Sequence, residues 1–256
     1  MKKAILYTLV FLAIQLVVPY LIGTTLSLLG KSLDKQEALT LIIFTAATSV
    51  VTIALFLFLR WAKVSRSYVR SKPWAVLCWC SLAAVGCVIP SVWLQEQMPE
   101  LPNLMEQEFD MILKNRWGYL VVGLLAPVSE ELVFRGAVLR SLLRWGPANH
   151  WFAIAISAVL FALIHVNPAQ MPHAFAVGLL LGWLYYRTDS VVPGIVYHWI
   201  NNSIAYVVYN FYPDPSLHLI DLFGSQRSVA AAVVFSLFIL LPSLYQLNMR
   251  LRKAAR

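Results

Sequence analysis

The sequence predicts an all-α protein, a polytopic membrane bundle of about eight transmembrane helices, and three observations carry that prediction. Of its 256 residues, 60% are hydrophobic and only 12% are charged, about half the charged fraction of a typical soluble domain. The mean hydropathy is +0.70. The apolar residues also gather in long runs, most of them close to the roughly 17–25 residues that a helix needs to cross the hydrocarbon core.

Eight such runs account for most of the chain, and the fifth and sixth are at the short limit for a span. The first run follows two lysines and resembles a signal peptide. It is too long for a signal-peptide core and lacks a small-residue cleavage site, so we expect an uncleaved span. The runs cover roughly residues 4–29, 38–62, 74–95, 117–143, 150–166, 171–187, 191–211 and 228–248.

The net charge of +8 comes from basic residues that lie at the ends of these runs. This placement disfavours a nucleic-acid partner and points to orientation in the lipid bilayer. With both termini in the cytoplasm the basic residues divide fourteen to five in favour of the cytoplasmic side, which predicts an integral protein of the bacterial inner membrane. The cytoplasmic set is Lys2, Lys3, Arg60, Lys63, Arg66, Arg70, Lys72, Arg140, Arg144, Arg187, Arg250, Arg252, Lys253 and Arg256, and the outer set is Lys31, Lys35, Lys114, Arg116 and Arg227.

The fourth run contains two adjacent carboxylates and an arginine, which are costly at bilayer depth and usually mark function. Glu131 and Arg135 are four residues apart, so in a helix they share a face and can form an ion pair. Glu130 lies about 100° further round the helix and is expected to point elsewhere, without that partner. Pro127 lacks a backbone donor, which predicts a kink just before the carboxylates.

Two later runs add a sparse polar set. Phe161 and His165 share one helical face, and so do His198 and Asn202. A glutamate helped by a histidine can take a proton from water, and a second histidine with an asparagine amide can stabilise the tetrahedral oxyanion. The combination predicts hydrolysis, with Glu130 as the free carboxylate.

Each of these features has an alternative explanation. The histidines and Asn202 could be hydrogen-bonded packing residues between helices, and His150, His173 and His218 are assigned no function. Glu130, His165 and His198 could instead bind a catalytic zinc ion, although no H-E-x-x-H motif occurs, so no metal or other cofactor is favoured. The chain could also be a non-catalytic scaffold or bacteriocin-immunity partner. A proton-coupled transporter is a further alternative, against which the lack of inverted repeats counts.

Together, the polar residues of the fourth, fifth and seventh runs resemble the sequence motifs of the family of CAAX proteases and bacteriocin-processing enzymes. This family is also called the CPBP or Abi family, and it includes type II CAAX prenyl endopeptidases. The family pattern reads E-E-x-x-x-R, then F-x-x-x-H, then H-x-x-x-N/D. It is matched in order by Glu130-Glu131 with Arg135, Phe161 with His165, and His198 with Asn202.

The resemblance implies an intramembrane endopeptidase that acts on a membrane-associated peptide or lipidated protein, such as a prenylated CAAX protein. Glu130 would activate water with His165, His198 and Asn202 would form the oxyanion hole, and Glu131, Arg135 and Phe161 would support them. The chain then divides into N-terminal spans with an outer loop, a catalytic helix core, and an outer loop with the last span and a basic cytoplasmic tail. These parts cover residues 1–116, 117–211 and 212–256.

One expectation conflicts with this site. At about 1.5 Å per residue, a span over residues 150–166 places His165 nearer the outer face, whereas Glu130 and His198 fall in the cytoplasmic half. The connector that follows His165 could resolve the conflict by lying at membrane depth in a protein cavity.

Overall fold

A computed structural model describes residues 1–30, 37–146, 149–214 and 217–251. Throughout these ranges the regular structure is helical, which confirms the predicted all-α class. Five residues of the predicted charge pattern lie outside the described residues, namely Lys31, Lys35, Arg252, Lys253 and Arg256.

Among the described residues, four helices are long and apolar enough to cross a membrane. The remaining predicted spans are also helical, but length and composition do not mark them as membrane-crossing, so the figure of eight stays a prediction. The four helices are α1 (Lys2–Leu28), α2 (Ala38–Phe58), α4 (Trp74–Glu96) and α12 (Gln226–Arg250), with a short α3 (Arg66–Arg70) between the second and third.

The predicted outer loop carries α5, which runs over Glu106–Lys114. Its first turn is acidic, with Glu106 and Glu108, and Lys114 lies in its last turn, as the helix dipole favours. Asp110 accepts hydrogen bonds from Lys114 at 2.9 Å and from the Tyr209 hydroxyl. Because both donors stabilise the charged carboxylate, they lower the pKa of Asp110 below its usual 3.8. These contacts hold α5 against the helix that carries Tyr209.

The segment with the paired carboxylates is one long helical rod with two π-helical stretches. Leu120–Leu125 is π-helical, α6 covers Ala126–Glu131, Leu132–Leu139 is again π-helical, and α7 covers Arg140–Trp145. Pro127 lies in the first turn of α6, and the helical register widens before and after the carboxylates, near the point where the sequence predicted a kink. Every residue of Leu132–Leu139 is buried, which places this rod in the main core of the molecule.

Two later helices pack against each other and against the rod. Gly178 and Gly182 let α8 and α9 approach closely, since a Cβ on them would lie 3.0 Å from Ala158 and 2.8 Å from Ile154. In chain order the helices after the rod are α8 (His150–Leu163), α9 (Met171–Thr188), α10 (Val192–Phe211) and a short α11 (Leu219–Phe223). α10 and α12 both pack on α4, so α10 lies between that outer pair and the rod.

Candidate active site

The predicted ion pair within the rod is present and fully buried. Arg135 Nη1 lies 2.6 Å from Glu131 Oε1, with both side chains at 1% exposure or less. Arg135 Nη2 donates to the carbonyl oxygen of Gly178 at 3.2 Å. A Cβ on Gly194 would lie 2.5 Å from Glu131 Oε2, so the carboxylate presses against the backbone of α10. The pair therefore joins the rod to α9 and α10.

His198 lies between the two carboxylates. Its Nδ1 is 3.4 Å from Glu131 Oε1, and its Nε2 is 3.8 Å from Glu130 Oε2. The expectation that Glu130 points away from its neighbour therefore needs correction, because both carboxylates reach the same imidazole. Glu130 remains the more accessible carboxylate, with 17% of its side chain exposed against 0% for Glu131.

Phe161 connects the charged groups to the second predicted histidine. The Arg135 guanidinium lies over its ring at 4.3 Å, a favourable cation–π distance. The ring of His165 meets Phe161 edge-on at 5.0 Å, and the ring of His198 does so at 5.9 Å. Phe161 thus separates the two histidines and shields the arginine from water.

His165 follows directly after α8, which ends at Leu163 after 14 residues. Such a helix is about 21 Å long, shorter than the roughly 30 Å hydrocarbon core, so the span over 150–166 stays a prediction. His165 Nδ1 lies 2.8 Å from the carbonyl oxygen of Phe161. Within the described residues it forms no ion pair with Glu130, and its expected action on water together with Glu130 stays a prediction.

The connector after His165 is buried by protein. Asn167 is completely inaccessible, accepting a hydrogen bond from the Leu104 backbone at 3.0 Å and donating to Asn103 Oδ1 at 2.8 Å. The predicted outer loop therefore folds over this connector. Val166 adopts a left-handed conformation with a φ of 52°, an unfavourable conformation for a β-branched residue.

His173, to which the sequence analysis assigned no function, lies in the first turn of α9. It is within electrostatic range of both His165 and His198. The connector is short, so α9 starts beside the end of α8 and brings a third imidazole to the site. In the sequence, the only indication that His173 lies near His165 was their separation of eight residues. By contrast, His150 stacks on Tyr186 at 3.9 Å and His218 lies 3.5 Å from Glu96.

Asn202 follows His198 by one turn of α10, as predicted. Its side-chain amide donates to the carbonyl oxygen of Val122 at 3.0 Å. Val122 belongs to the first π-helical stretch, so the asparagine ties α10 to the rod. Because an amide nitrogen carries two hydrogens, one donor of Asn202 is left for another acceptor.

Several buried polar atoms of this cluster have no hydrogen-bond partner in the protein. Eight such side-chain atoms occur among the described residues, and four belong to the site: Glu130 Oε2, Glu131 Oε2, Arg135 Nε and His198 Nδ1. An unsatisfied buried polar atom costs about 1–3 kcal/mol, and such groups are rare away from functional sites. The concentration of four in one place is suited to binding a polar reactant.

The zinc alternative requires three ligand side chains close enough together to share one ion. Across the described ranges, no three His, Cys, Asp or Glu side chains form a group that could hold a metal ion. This applies to Glu130, His165 and His198, the ligands that the alternative requires.

Comparison with known proteins gives a family match over this part of the chain. Residues 113–204 match the model of the Rce1-like type II CAAX prenyl endopeptidase family. That range contains the rod, α8, α9 and most of α10, including every residue of the cluster. No solved structure gives a significant match.

Two curated bacterial proteins are similar to shorter parts of the chain. "Putative membrane peptidase YdiL" of Bacillus subtilis is 27% identical over 89 residues, 35% of this chain and 36% of that protein. UPF0177 protein YxdF of Lactococcus lactis is 27% identical over 105 residues, 40% of this chain and 51% of that protein. The chain therefore spans about a third to a half of the length of these relatives.

Proposed function

We propose that this chain, whose residues 113–204 form a Rce1-like type II CAAX prenyl endopeptidase domain, is an intramembrane endopeptidase. Its substrate is a membrane-associated peptide or protein, such as a protein with a prenylated CAAX end. The enzyme cuts the substrate near that end. The four unpartnered polar atoms around His198 are the observation that supports this proposal most directly.

Glu130 is the proposed general base. Its carboxylate is the more exposed of the pair, and Arg135 is already committed to Glu131 at 2.6 Å, which leaves Glu130 free to accept a proton. Glu130 removes a proton from water, and the resulting hydroxide attacks the carbonyl carbon of the peptide bond. The proton then passes to the leaving nitrogen as the carbon–nitrogen bond breaks.

His198 and the second amide hydrogen of Asn202 are the proposed donors to the oxyanion. Both side chains lie on α10, and Glu131 Oε1 lies 3.4 Å from His198 Nδ1, a position from which the carboxylate can orient the imidazole. His165, whose ring meets Phe161 edge-on at 5.0 Å, assists the base. Glu131, Arg135 and Phe161 hold this arrangement in place.

Orientation and location are part of the same proposal. The four long apolar helices place the chain in a membrane, and the excess of basic residues on one side supports cytoplasmic termini. Similarity to two bacterial proteins supports the bacterial inner membrane. Residues 117–211 form the catalytic core, flanked by 1–116 and 212–256, as the family match over 113–204 supports.

The test is cleavage of a quenched fluorescent CAAX peptide by protein purified in detergent. Prenylated and unprenylated peptides are assayed with wild type and with Glu130→Gln, and Glu106→Gln, at an exposed carboxylate in the first turn of α5, is the matched control. We expect Glu130→Gln to lower the rate by at least about 100-fold and the control to retain it.

A chelator arm tests the role of metal. Activity that survives the chelator and is lost in Glu130→Gln supports a metal-independent glutamate mechanism. Loss with the chelator and recovery with zinc would replace that mechanism by a metal-dependent one. Cleavage that Glu130→Gln leaves unchanged would overturn the proposal and favour a binding role for the fold.

A further inference from the structure

A second polar site lies at the opposite end of the rod from α5. A cavity of about 570 Å³ opens there, lined by the start of α1, the turn after α2 and the α7 end of the rod. Four basic side chains line it, and within the described part of the chain its lining contains no carboxylate. These are Lys3, Arg60, Arg140 and Arg144.

The three elements are brought together by packing that is independent of the charges. A Cβ on Gly136 would lie 3.1 Å from Ala62, so the turn after α2 rests directly on the rod. Gly136 precedes Arg140 by one helical turn and Arg144 by two, and side chains at that spacing share a face. The turn therefore places Arg60 in the same cavity as Arg140 and Arg144.

Arg60 is held there at a conformational cost. Its φ is 56°, a left-handed conformation that disfavours any side chain with a Cβ, and glycine or asparagine would adopt it more readily. The backbone amides of Trp61 and Ala62 both donate to the carbonyl oxygen of Phe56, which fixes the turn. A cation in a strained and well-fixed turn is consistent with a function for its charge.

Aromatic side chains also line the cavity. The Tyr7 and Trp61 rings are 5.0 Å apart, and Trp61 meets Phe56 edge-on at 5.3 Å. Trp145, half exposed, lines the same cavity. Tyrosine and tryptophan prefer the headgroup level of a bilayer, so the cavity is at the depth where lipid phosphates lie.

None of the four cations forms an ion pair among the described residues, since the salt bridges there involve other groups. We propose that this cavity binds the phosphate headgroup of an anionic phospholipid. Four like charges in one concave site repel one another, and an anionic ligand would relieve that repulsion. Basic pockets between helices at a membrane face are suited to such headgroups.

The test is thermal unfolding of the purified protein in detergent with added lipid. Phosphatidylglycerol should raise the Tm by several degrees, whereas phosphatidylcholine and inorganic phosphate should not. In Arg60→Gln/Arg144→Gln the apparent affinity should fall roughly fivefold for each charge, about 25-fold in total. Lys63→Gln/Arg70→Gln removes two charges that do not line the cavity and should retain the wild-type affinity.

A charge-preserving variant, Arg60→Lys/Arg144→Lys, keeps the test informative if the glutamine variant does not fold, because it should retain most of the binding. Equal effects of phosphatidylglycerol and phosphatidylcholine would overturn the proposal. So would equal losses in the cavity variant and its control. A rise in Tm with inorganic phosphate alone would show a site for free anions, which also contradicts a lipid site. The readout does not involve cleavage, so it stands apart from the proposed peptidase activity.

Discussion

The buried pair of Glu131 and Arg135 provides the sharpest test of how the site is built. Glu131→Gln removes the negative charge while keeping the size and one acceptor oxygen. The arginine would then remain buried with its Nη2 bond to Gly178 and the face of Phe161, but without the carboxylate that it contacts directly. Removing one partner of a buried ion pair typically costs 3–5 kcal/mol.

The expected cost is near 3 kcal/mol, the lower end of that range. The cation–π contact at 4.3 Å stabilises a desolvated guanidinium by about 2 kcal/mol and survives the substitution. Arg135→Met should cost a similar amount because it leaves a buried carboxylate, for which only His198 at 3.4 Å remains as a partner. In the double variant no charge is left uncompensated, so its cost should be well below the sum of the two.

A double-mutant cycle measures this difference. The free energy of unfolding is determined by titrating SDS into mixed micelles, and we expect a coupling energy of about 2–3 kcal/mol. The exposed pair of Asp110 and Lys114 is the matched control, because it has the same spacing and an N–O distance of 2.9 Å. That pair should show a coupling of about 0.5 kcal/mol or less. Equal coupling in the two cycles would refute the argument that burial makes the inner pair strong.

Three further predictions concern the surroundings of the pair. Gly194→Ala should lower both the Tm and the cleavage rate, since its Cβ would lie 2.5 Å from Glu131 Oε2. Gly23→Ala should lower neither, because Gly23 has open space around it. Equal Tm values for the two variants would contradict this prediction. Val166→Gly should raise the free energy of unfolding by up to about 1 kcal/mol, because glycine relieves the φ of 52°. The added backbone freedom of the unfolded chain opposes this gain. A large fall in the free energy of unfolding would show that the conformation is not strained. His173→Gln should lower the cleavage rate by about tenfold or more with an unchanged Tm, because His173 is within electrostatic range of both other histidines; a wild-type rate would assign it to packing.

Short-range features of the site could be predicted from the sequence, because they depend only on helical periodicity. The i,i+4 spacing placed Glu131 against Arg135 and Asn202 one turn beyond His198, and the structure shows both relations. The same periodicity could not place Glu130. Its orientation depends on an imidazole from α10, which is wide enough to meet two adjacent carboxylates through its two nitrogens.

Features that depend on helix ends were not predictable in the same way. Hydropathy alone extended the fifth run to residue 166, whereas α8 ends at Leu163 and the chain then turns through Val166. What fixes the following connector is a pair of hydrogen bonds to the distant loop around Asn103, which no local pattern reveals. The position of His173 follows from that connector, so it was missed for the same reason.

The two π-helical stretches explain how an apolar rod can present several polar groups to its neighbours. A π turn inserts one extra residue into a helix without ending it, so the groups beyond it are rotated relative to those before it. The first stretch contains Val122, whose carbonyl oxygen accepts from Asn202 at 3.0 Å. The second contains Arg135. The carboxylates lie on the short α6 between them, so each π stretch fixes one contact of the site, with α10 on one side and with α9 on the other. A break at Pro127 would have uncoupled these contacts, whereas a continuous rod with two widened turns holds Glu130, Glu131 and Arg135 in one rigid element. That rigidity is what a general base in a desolvated site requires, since small displacements of the base from its substrate cost large factors in rate.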